Sequence, residues 1–196
     1  MTTQAKTQFP PYSQMVMNLF KPMDGVGSKM MHAAVGMAGE SAELRTATGR
    51  KNLLEECGDI EFYMEAAWLQ LSSPVQDKYQ GMMLAECNLQ FGSMVDAVHE
   101  HSGNLLDYAK KVWVYGGAKG GRDDHIASEL HKLRAIMNSI YVMIGATIEE
   151  VRYSNQVKLL GTAEEKGRYA SGTYSDEQAL ARADKIGEAA LLKGEK

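Results

Sequence analysis

The chain has 196 residues, 44% of them apolar, and its 21 basic and 25 acidic side chains give a formal net charge of −4. This length and apolar content suffice for a full hydrophobic core, and the acidic balance argues against a nucleic-acid-binding surface. No apolar run approaches the roughly 20 residues of a membrane span, and the polar N-terminus does not resemble a signal peptide. We therefore expect a cytoplasmic globular protein in which Cys57 and Cys87 are reduced.

Helical periodicity runs along most of the chain, and no segment shows the alternating pattern of a strand, so the sequence predicts an all-α helical bundle. The predicted helices are, in chain order, 12–20, 28–46, 52–71, a long stretch over 73–114, 124–144, 147–160 and one that begins after Ser175. The long stretch either continues through Gly103 or breaks there, and a glycine-rich loop at 116–121 ends it. Thr147 is the expected N-cap of its helix, and Ser175 with Gln178 predicts a capping box.

Four carboxylates on two consecutive predicted helices are the strongest chemical signal: Glu40 and Glu43, then Glu56 and Asp59. Each pair is spaced i, i+3, so its two side chains leave the same helix face one turn apart. These faces are otherwise lined by small and apolar residues and carry no run of basic side chains. Ionised carboxylates on a core-facing stripe are costly without a compensating cation, so the pattern predicts a site for a hard divalent cation.

Other polar residues have plainer interpretations. Glu61 and Glu65 project roughly opposite to Glu56 on the helical wheel, so we expect them on the solvent-facing side of their helix. No histidine stands in a Glu-x-x-His pair, which argues against a di-iron carboxylate bundle. The loop around Lys119 lacks the Gly-Lys-Ser/Thr ending of a Walker phosphate loop.

The run Gly39–Leu44, followed by Glu55–Tyr63, resembles the E-x-x-E and E-x-x-D motifs of the MazG-like all-α nucleoside triphosphate pyrophosphohydrolases. The segment Arg168–Gln178 also resembles the C-terminal part of the phage-encoded branch of that family. The resemblance covers about 30–70 well and about 147–186 fairly. It leaves the middle of the chain without a clear counterpart.

This resemblance implies hydrolysis of a nucleoside triphosphate at the α-phosphorus, which releases a monophosphate and pyrophosphate. It implies that Glu40, Glu43, Glu56 and Asp59 hold Mg²⁺, for which Mn²⁺ can substitute, and carry the catalysis. Phage-type relatives suggest control of a deoxynucleotide pool in the host cytoplasm, with a slight preference for a purine substrate such as dGTP or GTP. Because such proteins pair helical hairpins across subunits, we expect a homo-oligomer and favour a dimer.

A second polar set lies further along the chain. Asn155 and Lys158 share the core-facing stripe of helix 147–160, where an amide and an ammonium could reach a phosphate held by the metal. The resemblance implies this substrate-binding role, whereas the plainer alternative is that Lys158 extends to water at the helix end. Arg168 and Tyr169, just before the last helix, are predicted to close over the phosphates.

The middle of the chain can be aligned to the first acidic unit as a degenerate repeat. In this alignment His101, Asn104, Glu129 and Lys132 take the places of the four acids. Only one carboxylate remains and a lysine stands among the ligand positions, so the second unit is predicted to have lost metal binding. Chance similarity between helical patterns is the alternative. The predicted organisation is a single catalytic domain over 1–196, with a metal-binding unit at 12–72, a degenerate unit at 83–160 and a C-terminal tail at 161–196.

Two non-catalytic functions stay open at this point. The chain could be a nucleotide or metal sensor that keeps the acidic site without turnover. It could also be an assembly module whose acids bind a divalent cation for structural reasons. The enzyme interpretation predicts turnover in the parent protein and its loss in Glu56→Gln, whereas both alternatives predict no turnover at all.

Overall fold

The computed structural model describes residues 8–84, 87–116, 122–164 and 166–181, and over these residues the fold is all-α, as predicted. The described residues form eight helices and no β-strand beyond one isolated bridge between Gly161 and Lys166. The helices are α1 (Tyr12–Leu19), α2 (Gly25–Thr46), α3 (Gly49–Trp68), α4 (Ser73–Gln80), α5 (Phe91–Tyr115), α6 (Arg122–Met143), α7 (Ile148–Leu160) and α8 (Asp176–Ala181). Residues 117–121 of the predicted loop at 116–121, and the continuation of the tail beyond 181, lie outside the described residues.

Two compact units account for the packing. The central unit is Met23–Arg152, and the terminal unit combines Met1–Pro22 with Tyr153–Lys196. Helix α7 spans the division between them, because it begins at Ile148 and ends at Leu160. The organisation predicted from sequence, with units at 12–72, 83–160 and 161–196, stays a prediction.

The central unit is built from two helical hairpins. Helix α2 packs against α3, α5 packs against α6, and α2 and α5 pack against each other to join the hairpins. Met30, Met37 and Leu44 are buried on α2 at seven-residue intervals, which is the spacing of a stripe that faces neighbouring helices. Helices α2 and α5 approach closely at Gly27, where an added Cβ would lie 3.0 Å from the Cα of Trp113.

The predicted long helix over 73–114 is divided in the structure. Helix α4 ends at Gln80, the described residues of 81–90 are not helical, and α5 begins at Phe91. Helix α4 then packs against α6, where Lys78 forms an ion pair of 2.7 Å with Asp124. The alternative break at Gly103 does not occur, since α5 continues from Phe91 to Tyr115 with this glycine on its exposed face. A single exposed glycine lowers helix stability by only about 1 kcal/mol.

Helix ends follow the capping residues in the sequence. The hydroxyl of Thr147 accepts a hydrogen bond of 3.2 Å from the Glu150 N–H, and the Thr147 N–H donates one of 3.0 Å back to the Glu150 carboxylate. This reciprocal pair confirms Thr147 as the N-cap of α7. At Ser175 only half of the capping box forms. Its hydroxyl accepts from the Gln178 N–H at 3.4 Å, but the Gln178 side chain accepts from Ser171 instead.

The terminal unit holds α1 against the C-terminal half of α7. Tyr12 donates a buried hydrogen bond of 2.9 Å to Asn155, and Gln156 donates one of 2.8 Å to the Pro10 carbonyl. Of the described helices, none combines the length and apolar character that crossing a membrane requires.

Candidate metal centre

Three acidic side chains meet where α2 and α3 pack together. One carboxylate oxygen each from Glu40, Glu43 and Glu56 lie within 4.8 Å of one another, and we refer to these three residues as the acid cluster. Glu56 is buried with 4% exposure, Glu40 is half-buried and Glu43 is exposed. The group therefore opens towards solvent on the α2 side and is closed on the α3 side.

A tight connection between the two helices brings these acids together. Helix α2 ends at Thr46 and α3 begins at Gly49, whose φ of 75° lies in the left-handed region that favours glycine. Arg50 then fixes the start of α3, because its guanidinium donates hydrogen bonds of 3.0 and 2.9 Å to the carbonyls of Ile144 and Gly145. The i, i+3 spacing on α2 places Glu40 and Glu43 on one face of that helix.

Asn52 orients the buried acid. Its side-chain amide donates a hydrogen bond of 2.8 Å to Oε1 of Glu56, one turn further along α3. The amide oxygen of Asn52 in turn accepts from the Thr48 N–H at 3.1 Å. This chain of hydrogen bonds ties the Glu56 carboxylate to the interhelical turn, in the way that supporting residues hold metal ligands in place.

The acid cluster has the donor set of a hard-cation site. Three carboxylates this close repel one another, and a bound divalent cation would offset that repulsion with oxygen ligands of the kind Mg²⁺ prefers. Within the described part of the chain the structure brings three of the four predicted acids together. Asp59 is half-buried one turn beyond Glu56, outside the group of oxygens that lie within 4.8 Å of one another.

The structure also brings together three of the four residues that the repeat alignment placed in the second unit. His101 Nδ1 lies 2.7 Å from one oxygen of Glu129, and Lys132 Nζ lies 2.7 Å from the other. Burial alone would raise the pKa of Glu129, but Lys132 and His101 hold it below its ordinary value. Asn104 is exposed. The ammonium group of Lys132 thus neutralises Glu129, the single acid among the four aligned positions.

The prediction that Glu61 and Glu65 face solvent is wrong. Glu61 is fully buried and forms a two-point ion pair with Arg134 on α6, with 3.1 Å between Nη2 and Oε2. Tyr141 donates a hydrogen bond of 2.6 Å to Glu61, and Arg152 lies 3.2 Å from both Glu61 and Glu65. Helix α3 is therefore covered on two sides, by α2 on the face of the acid cluster and by α6 on the other.

These charges shift the ionisation of their buried neighbours. Burial alone would raise the pKa of Glu61, but the guanidinium of Arg134, with help from Arg152 and Tyr141, holds it below its ordinary value. The pKa of Cys57 is raised to about 12, first by burial and then by the negative charges of Glu61 and Glu56. Cys57 is therefore a buried free thiol that stays protonated at neutral pH.

The four predicted substrate residues lie in the terminal unit. Asn155 is buried and accepts the hydrogen bond from Tyr12 described above, and Lys158 is half-buried one turn later. The backbone N–H of Arg168 donates to the Lys158 carbonyl at 3.2 Å, and that of Tyr169 donates to the next carbonyl at 2.6 Å. These two bonds hold Arg168 and Tyr169 against the end of α7. The acid cluster belongs to the central unit.

The close approach of the Arg168 segment to the end of α7 depends on Gly167. An added Cβ on Gly167 would overlap the backbone at Gly161, so a larger residue would separate the two segments. The isolated bridge between Gly161 and Lys166 lies at the same point. Sequence reasoning found the charged residues here but missed this close backbone approach.

Comparison with known proteins gave no match among family models, among curated proteins or among solved structures.

Proposed function

We propose that this chain is a Mg²⁺-dependent nucleoside triphosphate pyrophosphohydrolase of the MazG-like type. The observation that carries the proposal is the convergence of Glu40, Glu43 and Glu56 on one point between α2 and α3. The E-x-x-E and E-x-x-D motifs of the sequence supply the same residues. The proposed reaction is attack of water on the α-phosphorus, which releases a nucleoside monophosphate and pyrophosphate.

The acid cluster is suited to the cation that this reaction needs. Glu40, Glu43 and Glu56 would hold Mg²⁺, with Mn²⁺ able to substitute, and the proposal adds Asp59 as the fourth acid. A bound divalent cation supplies positive charge for the triphosphate oxygens and activates the attacking water. The buried position of Glu56 and its hydrogen bond from Asn52 keep one ligand fixed. The exposed Glu43 leaves an open side from which substrate can approach.

Substrate binding is assigned to the polar residues of the terminal unit. Lys158 and Arg168 carry positive charge to offset the triphosphate, and their backbones are hydrogen-bonded to each other. Asn155 is proposed to orient a phosphate held by the metal, and Arg168 and Tyr169, the latter 7% exposed, are proposed to close over the phosphates. The proposed substrate is a ribo- or deoxynucleoside triphosphate, with dGTP and GTP as the first candidates, and the proposed role is control of a nucleotide pool by a homodimer.

Chromatographic product analysis tests this proposal. A panel of ribo- and deoxynucleoside triphosphates is incubated with the protein in Mg²⁺ and, in parallel, in EDTA. We expect metal-dependent formation of a monophosphate and pyrophosphate from one or a few members. Formation of diphosphate and phosphate would overturn the assignment to the α-phosphorus. Absence of turnover, with Mg²⁺ binding shown by calorimetry, would favour the sensor or assembly functions instead.

A further inference from the structure

A pocket of about 300 Å³ lies in the central unit, between α3, α4 and α6. Its volume stands at the lower end of the ~300–1,000 Å³ range of small-molecule sites. Its walls combine aromatic and aliphatic side chains with charged ones, and the residues that matter for its chemistry are Met64, Glu65, Trp68, Tyr79, Arg134 and Arg152. None of them belongs to the acid cluster or to the proposed substrate residues.

The side of the pocket that carries charged residues has almost no net charge. Arg134 and Arg152 reach it as partners of Glu61 and Glu65, so two guanidinium charges stand against two carboxylate charges. The side chains of Arg134, Arg152 and Glu65 keep 21%, 30% and 15% of their surface exposed. This side therefore presents N–H donors and carboxylate acceptors together, without the excess positive charge that selects a phosphate.

The other walls are apolar and aromatic. Trp68 and Tyr79 both line the pocket, together with the buried aliphatic side chains of Leu130 and Met64. The hydroxyl of Tyr79 donates a hydrogen bond of 3.1 Å to the Asp124 carbonyl, which fixes its ring. Fixed aromatic rings beside adjacent donors and acceptors are the combination that binds planar heteroaromatic rings.

We propose that this pocket binds a nucleobase presented as a free base or nucleoside. The base would stack on Trp68, its ring nitrogen and carbonyl acceptors would meet N–H groups of the Arg134 guanidinium, and its N–H donors would meet the Glu65 carboxylate. A purine such as guanine carries both kinds of group along one edge.

The pocket is separate from the proposed triphosphate site. Glu65 follows Glu56 by nine residues, which at about 100° per residue places it about 180° around α3. The acid cluster faces α2, whereas the residues of this pocket face α4 and α6. The inference therefore adds a second ligand site, on which a nucleoside could act as an effector, and it stands whether or not the chain hydrolyses triphosphates.

Calorimetry on the whole chain in EDTA tests the proposal with guanosine, adenosine, cytidine and uridine, which lack the phosphates that a metal would bind. We expect saturable binding of at least one nucleoside, with one site per chain. Trp68→Leu should weaken it roughly ten-fold or more by removing one stacking ring. Trp113→Leu is the matched control, because Trp113 is 56% exposed on α5 and does not line the pocket. It should leave the affinity unchanged.

Two further variants keep the result interpretable. Tyr79→Leu alters the second aromatic wall and should also weaken binding, so the test stands even if Trp68→Leu fails to fold. Glu56→Gln changes the acid cluster and should leave nucleoside affinity unchanged. The proposal is overturned if no nucleoside binds to the parent protein, if both aromatic variants bind as the parent does, or if Glu56→Gln abolishes binding. Failure of the proposed triphosphate hydrolysis alone would not affect it.

Discussion

Glu61 on α3 and Arg134 on α6 form a two-point ion pair that joins the two helical hairpins of the central unit. The alignment that places Glu56 over Glu129 continues, five residues later, to place Glu61 over Arg134. The ion pair would therefore join equivalent residues of the predicted repeat, and through it the second hairpin neutralises a buried acid of the first.

Two buried serines provide the first prediction. Ser41 donates a hydrogen bond of 2.8 Å to the Ala38 carbonyl and lies 2.9 Å from His99 Nδ1, whereas the buried Ser102 hydroxyl has no partner among the described residues. An unsatisfied buried hydroxyl is destabilising by about 1–3 kcal/mol. Ser102→Ala should therefore raise the free energy of unfolding by about 1 kcal/mol, and Ser41→Ala should lower it by a similar amount. Urea denaturation of both variants measures this, and a loss of stability in Ser102→Ala would show that the hydroxyl is satisfied.

Removing one partner of the buried ion pair should be strongly destabilising. Glu61→Gln leaves Arg134 without its counter-charge, and Arg134→Met leaves Glu61 with only part of its own, so each should lower the free energy of unfolding by about 3–5 kcal/mol. The double variant should be less destabilised than the sum, because neither buried charge then lacks its partner. A double-mutant cycle by urea denaturation measures the coupling. Additive effects would mean that the two side chains do not interact in solution.

The same carboxylate should govern part of the acid sensitivity. The pKa of Glu61 is lowered in the folded protein, so its contribution to stability is complete above its ordinary value of 4.5 and is lost as the pH falls towards the folded-state pKa. We expect the free energy of unfolding of the parent to fall below about pH 4.5. In Glu61→Gln the decrease should be shallower, with a remainder from Glu129, whose pKa is also lowered. An equal decrease of the free energy of unfolding with falling pH in the two proteins would show that Glu61 does not cause this acid sensitivity.

Packing between α2 and α3 depends on a glycine. A Cβ on Gly36 would overlap the ring of Tyr63, which is also held edge-on by Phe62 at 5.5 Å between ring centroids. Gly36→Ala should lower the free energy of unfolding by about 1–3 kcal/mol, the usual effect of overpacking. Gly39→Ala is the control on the same helix, because nothing lies within 4 Å of an added Cβ there. It should be stabilising by roughly 0.5–1 kcal/mol, since alanine is the better helix former. Thermal denaturation distinguishes the two, and similar effects would show that Tyr63 can move aside.

The sequence predicted what local rules determine. Periodicity gave the helices, Thr147 gave a cap, and i, i+3 spacing with a short interhelical turn brought Glu40, Glu43 and Glu56 together. The burial of Glu61 could not be predicted in this way, because its partner Arg134 lies far along the chain and a helical wheel assumes one wet face. The division between α4 and α5 was also missed, because α4 ends at Gln80, with Gly81 as its C-cap, and packs against α6, a long-range contact that local periodicity does not reveal.

Steady-state release of pyrophosphate in Mg²⁺ tests the central proposal most directly, with the best substrate of the panel and three proteins: the parent, Glu56→Gln and Glu100→Gln. Glu100 is an exposed acid on α5, so its variant makes the same chemical change outside the acid cluster. We predict equal rates for the parent and Glu100→Gln. Because loss of even a supporting residue lowers metal affinity about 10–100-fold, the rate of Glu56→Gln should fall at least ~100-fold with the fold retained by circular dichroism. Parent-like turnover in Glu56→Gln would contradict a metal centre at the acid cluster, and absence of turnover in the parent would contradict the enzyme itself.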